Sequence, residues 1–223
     1  MTNMQRSRQV QGSSVPSFFY GTAWKEERTR ALTALALQTG FRAIDTANQR
    51  RHYVESAVGD AVKASLASGL ATRSELFLQS KFTHPAGQDH RLPYDINAPR
   101  AEQVAQSLES SLAHFGTTYL DSYLLHGPSS RLGLTDDDWQ VWHAMEALQL
   151  AGKVRLLGVS NVSPEQLALL LRHANVQPAF VQNRCFARTG WDRDVRALVT
   201  DHGMIYQGFS LLTANVRDRK SVV

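Results

Sequence analysis

The chain has 223 residues, 43% hydrophobic and 20% charged, with 24 basic against 20 acidic side chains, which is the make-up of a soluble globular protein of one large or two small domains. No apolar run approaches the roughly 18 residues of a membrane span, the N-terminus MTNMQRSRQVQGSSVPS lacks an apolar leader core, and a lone Cys185 forms no internal disulfide. The basic residues are scattered except at Arg50, Arg51 and residues 217–220, so the reading is a cytoplasmic protein that handles a phosphate-bearing small molecule rather than nucleic acid or membrane.

Residues 1–17 predict a loose arm or edge hairpin, with Gly12, Ser13, Ser14 and Pro16 as turn signals, and 18–223 predict one further domain. The first core strand spans 18–20 and runs into Gly21, Thr22 and Ala23. The helix after it turns Leu32, Leu35, Ala36 and Thr39 inward, with Gly40 at its C-terminus. Residues 41–44 are a second strand ending on Asp45. A polar, basic loop leads from there to Tyr53, where a helix with Val54, Ala57, Val58 and Ala61 on its apolar stripe begins.

The third strand, 75–80, ends at Lys81, and a Pro- and Gly-rich loop follows before a helix with Val104, Leu108, Leu112 and Phe115 at helical spacing. Strand four, 119–125, ends at His126. Thr135 and Asp138 have the spacing of a capping box for the next helix. Strand five, 154–159, ends at Ser160 and Asn161, and Ser163, Pro164 and Gln166 supply an N-cap, an N1 proline and an N3 glutamine. Strand six, 179–181, ends at Gln182. After a helix over 192–202, strand seven, 204–208, ends at Phe209 and Ser210.

Strand and helix alternate with no break in composition, which means a parallel sheet. No two glycines lie two apart, so the dinucleotide fingerprint of an open doubly wound sheet is missing. A (β/α)₈ barrel of the TIM type fits better. A barrel brings all its strand C-termini to one mouth, so Asp45, Lys81, His126, Ser160, Asn161, Gln182 and Ser210 should converge.

Singly, each residue has a dull explanation: a tyrosine at a helix start packs, a lysine after a strand is solvated, a histidine after an apolar strand is a core histidine. In consecutive units Asp45, Tyr53, Lys81 and His126 make a proton-transfer set. An ammonium stabilises a phenolate, a carboxylate keeps the ammonium charged, and an imidazole can orient a carbonyl oxygen. Such a set suits a carbonyl that receives hydride on carbon and a proton on oxygen. A hydrolase reading has only Gly158-Val159-Ser160, since Val162 stands where a nucleophile elbow needs glycine. His84 and His90 share a loop without metal-ligand spacing.

Gly21-Thr22, Asp45-Thr46-Ala47, Tyr53, Glu55, Val58-Gly59, Ser80-Lys81, LLHGP at 124–128, GKVR at 152–155, GVSN at 158–161, Gln182 and Phe209-Ser210 together resemble the aldo-keto reductases over nearly the whole chain. The resemblance implies a (β/α)₈ barrel that reduces a small-molecule aldehyde or ketone with NADPH, or NADH in its place. It implies Tyr53 as the acid, Lys81 and Asp45 as its tuners, and His126 as the substrate-orienting group. Cofactor contacts are implied for Gly21, Thr22, Asp45, Ser160, Asn161, Gln182, Phe209 and Ser210, with Phe209 stacked on the nicotinamide and no metal.

The chain departs from that pattern in a longer Asp45-to-Tyr53 loop, in Gly127 where many members carry a bulky aromatic, and in a tryptophan, Trp24, one place late. A barrel of this kind takes about 250 residues. The expectation is therefore an incomplete barrel, lacking strand eight and the C-terminal helices, with strands one and seven as edges. The alternative is a truncated, catalytically idle barrel that serves as an interaction protein.

Overall fold

The computed structural model describes residues 7–210; the basic stretch 217–220 lies outside them. A hairpin comes first, β1 (Ser7–Val10) paired antiparallel with β2 (Ser13–Pro16). Its two-residue turn puts both Gln11 (φ 47°) and Gly12 (φ 76°) in the left-handed region, the turn whose twist matches paired strands. Val10 and Val15 are buried against Ala43, Phe77, Leu156 and Phe180, residues at or near the starts of later strands. The hairpin thus seats its apolar face on the N-terminal end of the main sheet.

That sheet has seven strands, all parallel: β3 (Tyr20–Gly21), β4 (Ala43–Asp45), β5 (Phe77–Phe82), β6 (Leu120–Leu125), β7 (Val154–Ser160), β8 (Phe180–Arg184) and β9 (Ile205–Phe209). Each pairs with its neighbour in sequence. The long crossovers are α1 (Thr29–Gln38), α2 (Glu55–Ala67), α3 (Arg100–Phe115), α4 (Asp136–Leu150), α5 (Pro164–His173) and α6 (Arg193–Asp201). Gln79 of β5 reaches Gln207 of β9 at 2.8 Å, so the sheet curls until non-adjacent strands meet inside it. The result is an incomplete (β/α)₈ barrel, with β3 and β9 not hydrogen-bonded to each other among the described residues. Among them too, no helix is long and apolar enough to cross a membrane.

Strand alternation sorts the side chains into two layers. On β5, Leu78 and Phe82 join the core between sheet and helices, with Val104, Leu108, Leu112 and Phe115 of α3. Phe77 turns instead to the basal cluster under the hairpin, and Gln79 and Lys81 face the interior. The helices start where local chemistry dictates. Thr135 and Asp138 form a reciprocal capping box on α4, and Ser163 and Gln166 form one on α5. Gly116 (φ 65°) closes α3 in the left-handed conformation.

The structure corrects some expectations. On α1 the buried residues are Thr29, Thr33, Ala36 and Leu37, while Leu35 is 52% exposed and Thr39 lies at the surface. Apolar residues occur on several faces of that short helix, so spacing alone leaves its phase open. On α2 the inward side carries Glu55, Val58, Ala61 and Val62, with Val54 and Ala57 only partly covered. Buried Glu55 is held by the hydroxyls of Ser80 and Ser111 and by His114 Nδ1. Lys81 and Gln182 lie inside their strands rather than after them, because those strands run further than the apolar run suggests.

At Gly59, α2 packs directly on the backbone of α3. A Cβ there would lie 2.0 Å from the His114 carbonyl oxygen, a backbone atom that no rotamer change can move. Gly59→Ala should therefore cost about 3 kcal/mol or more, read as a lowered urea midpoint with an unchanged slope; a midpoint equal to that of the parent would refute the close approach.

Candidate active site

The parallel register places the C-terminal ends of the strands around one cavity of about 580 Å³. Asp45, Tyr53, His126, Ser160, Asn161, Gln182, Phe209, Ser210 and Gly21 all line it. Lys81 lies behind this wall, fully buried, and donates to Asp45 Oδ1 at 2.6 Å and to the Thr46 carbonyl at 2.7 Å. Thr22 is buried as well. Its hydroxyl and its backbone N–H both donate to the Asp45 carbonyl, each at 3.0 Å, so it braces the end of β4 from outside the cavity wall.

Tyr53 precedes α2 by two residues, at the end of the long loop from Asp45. That loop is pinned at several points. Asn48 Nδ2 donates to the Ser107 carbonyl, Gln88 Nε2 donates to the Asn48 carbonyl, and the Tyr53 N–H donates to the Gln49 carbonyl. The pinning delivers the Tyr53 ring to within 5.3 Å of Lys81 Nζ and 5.8 Å of the His126 ring, edge to face. The four residues singled out for proton transfer are therefore one constellation.

Its electrostatics follow from burial. Burial pushes the Tyr53 phenol above its ordinary pKa; the Lys81 ammonium pulls it down and the Asp45 carboxylate pushes it further up. The sequence reading expected the ammonium to dominate. For Lys81, burial alone would favour the neutral amine, but Asp45 and Tyr53 outweigh it and the net shift is upward. His126 is lowered to about 3 by burial, then by the Lys81 and His52 charges, so its imidazole is neutral.

Below the mouth, an interior polar layer holds Asp45 further. Gln79 Nε2 donates to Asp45 Oδ1 at 2.7 Å and Gln182 Nε2 at 3.1 Å; Ser122 Oγ in turn donates to Gln79 Oε1 at 2.6 Å. Gln79 and Thr83, whose hydroxyl lies 2.7 Å from His126 Nδ1, were not singled out by the sequence reading. A glutamine directly after the apolar run Leu76-Phe77-Leu78 was the signal for the first. The second carries none, because a threonine just past a strand is commonplace.

Beside these groups, Ser160 Oγ donates to the Gln182 carbonyl and Asn161 Nδ2 to the His126 carbonyl. Asn161 (φ 54°) and Ser210 (φ 57°) are both left-handed, turning the chain sharply at the ends of β7 and β9. Among the described residues the side-chain oxygens of Gln182 and Asn161 have no hydrogen-bond partner, and both residues line the cavity. Phe209 forms part of the same wall with the Arg184 guanidinium 5.6 Å from its ring centroid.

A family model described as the Aldo/keto reductase family matches residues 17–221. The chain belongs to that family. Curated relatives include aldo-keto reductase family 1 member A1 of Rattus norvegicus, 32% identical over 192 residues, covering 78% of this chain and 54% of that protein. Member C3 of the same family 1 from Homo sapiens is 32% identical over 179 residues, covering 72% and 51%. The chain spans about half the length of these relatives. Among solved structures, the aldo/keto reductase of Brucella melitensis superposes with a TM-score of 0.74 at 26% identity, over 93% of this chain and 73% of that one. A Bombyx mori aldo-keto reductase in complex with NADP gives 0.72 at 24% identity, over 92% and 66%.

The neutral state of His126 has a measurable consequence in this aldo/keto reductase chain. Its folded pKa of about 3 lies below the ordinary value of about 6.5, so below that pH the unfolded chain takes up a proton that the folded chain refuses. Its contribution is complete above about pH 6.5 and is lost as pH falls toward the folded value. Urea unfolding followed by circular dichroism should show a larger loss of stability from pH 7 to pH 4 in the parent than in His126→Gln. Equal losses would mean that the imidazole protonates freely in the folded state.

Proposed function

We propose that the chain reduces aldehydes or ketones to alcohols with NADPH, Tyr53 giving the proton to the carbonyl oxygen. The observation that carries this is the convergence of a phenol, a buried ammonium–carboxylate pair and a neutral imidazole on one cavity, with the amides of Gln182 and Asn161 beside them.

The cavity fits a nicotinamide. The carboxamide of that ring has N–H groups to give, and the unpaired side-chain oxygens of Gln182 and Asn161 can accept them, with Ser160 holding Gln182 in place through its main chain. Phe209 and Ser210 line the same cavity at the end of β9 and would hold the ring. When bound, the reduced ring supplies hydride to the carbonyl carbon. The NADP bound by the Bombyx mori enzyme is the chemical precedent for choosing the phosphorylated form.

The proton side is the work of this chain's own residues. Burial keeps the Tyr53 phenol protonated at neutral pH, so the proton is present to be given. As it leaves, negative charge grows on the phenol beside the Lys81 ammonium, and that attraction lowers the cost of transfer. Asp45 keeps Lys81 charged and in place through the 2.6 Å contact. His126 lies across the Tyr53 ring and fixes the position of the substrate oxygen. Gly127, at the same mouth, leaves room beside it for a bulky carbonyl compound.

A fluorescence titration should show saturable NADPH binding tighter than NADH. Tyr53→Phe should lower kcat/KM for an aromatic aldehyde by about 10²-fold or more while the titration stays the same. Turnover that survives the change would remove Tyr53 as the acid, and a folded chain that binds neither nucleotide would end the reductase reading.

A further inference from the structure

We propose that Thr83 is a positioning residue that fixes the tautomer of His126, donating its hydroxyl proton to Nδ1 so that Nε2–H faces the cavity. This rests on the carbonyl-reduction reading only for its use; the tautomer itself is a property of the folded chain.

Among the described residues the Thr83 hydroxyl has one hydrogen-bond partner, His126 Nδ1. The side chain is 5% exposed, and its γ-methyl lies against Gly87, where even an added Cβ would come within 2.7 Å. Its backbone carbonyl accepts the Tyr94 hydroxyl at 2.7 Å. A β-branched side chain anchored at methyl and main chain has little rotamer freedom, and the third substituent, the hydroxyl, lies 2.7 Å from His126 Nδ1. His126 is held equally firmly: its N–H donates to the Phe82 carbonyl and its carbonyl accepts Asn161 Nδ2. These contacts hold the main chain of both residues in place, and the packed γ-methyl of Thr83 and the edge-to-face contact of the His126 ring with Tyr53 orient the side chains.

Two arrangements of the proton are conceivable between these atoms. If Nδ1–H donated to the threonine oxygen, the Thr83 hydroxyl proton would have no acceptor among the described residues and would have to turn toward the cavity that Thr83 also lines. If Thr83 donates, the hydroxyl proton and the Nδ1 lone pair satisfy each other. The neutral imidazole then carries its proton on Nε2, since the hydrogen bond at one ring nitrogen sets the state of the other. Nε2 has no protein partner among the described residues, and His126 lines the cavity. A donor there suits a carbonyl oxygen, whereas a bare lone pair would repel it. Low basicity of the ring keeps this a single N–H rather than an imidazolium.

Long-range ¹⁵N–¹H spectra of the histidine-labelled full chain at neutral pH read the tautomer directly, with His126→Gln identifying the signals. The parent should show protonated Nε2 and a hydrogen-bonded, unprotonated Nδ1. In Thr83→Val the Nδ1 signal should move to the position of a free ring nitrogen, and Thr83→Ser should keep the parent pattern. With NADPH and an aldehyde, Thr83→Val should lose about tenfold in kcat with KM held within about twofold, and serine should restore most of it. A parent spectrum with protonated Nδ1, or an Nδ1 signal unmoved in the valine variant, would overturn the assignment. Should valine prevent folding, the parent and serine spectra still decide. A parent with no turnover would overturn the reductase reading instead, leaving the spectra to judge the tautomer.

Discussion

A fully buried ammonium is the constraint on which the site depends. Lys81 has no contact with water, and an isolated charge in such surroundings is costly enough that a lysine would normally lose its proton. It keeps the proton because Asp45 and the Thr46 carbonyl both accept from it. That requirement dictates much else. Asp45 has to stand at the end of β4, beside β5, in the register the sheet provides. Tyr53 has to be carried over the pair by a loop, and the loop is correspondingly well fastened.

The same logic extends downward into the barrel. One Asp45 oxygen accepts from Lys81, Gln79 and Gln182 together, and the second glutamine also reaches Gln207. Where an apolar layer would fill space, this polar layer ties β4, β5, β6, β8 and β9 by side-chain hydrogen bonds across the interior. A network of this kind stabilises when its members are satisfied, and here the amides and hydroxyl supply one another except at the Gln182 side-chain oxygen, which has no partner among the described residues. It makes the carboxylate rigid, which in turn holds the ammonium at its distance from the phenol. The hairpin covers the opposite end with Val10 and Val15.

The alternation of strand and helix, the capping boxes of α4 and α5, the inward face of α3 and the convergence of Asp45, Tyr53, Lys81 and His126 were all legible in the chain. Each depends on short-range spacing or on the rule that barrel strands end at one face. Strand ends were less legible. Lys81 and Gln182 are polar, and a polar residue reads as the end of an apolar run, although a barrel interior can bury it. The phase of α1 failed for the opposite reason, since its apolar residues surround the helix. Glu55 was recognised only as part of a motif; its burial among Ser80, Ser111 and His114 joins residues up to 59 positions apart.

The order of residue types along the chain was thus sufficient to determine the barrel architecture and to nominate the groups at its mouth, because periodicity and strand-end position are local properties. Only the folded chain decided their chemical state. Whether the phenol's pKa rises or falls depends on the balance between burial and a charge several ångströms away, and neither is encoded in spacing. Which nitrogen of His126 carries the proton depends on a hydroxyl 43 residues away in sequence. Desolvation and hydrogen-bond direction are set by what surrounds a group in three dimensions, and that surrounding is assembled from every strand of the sheet at once.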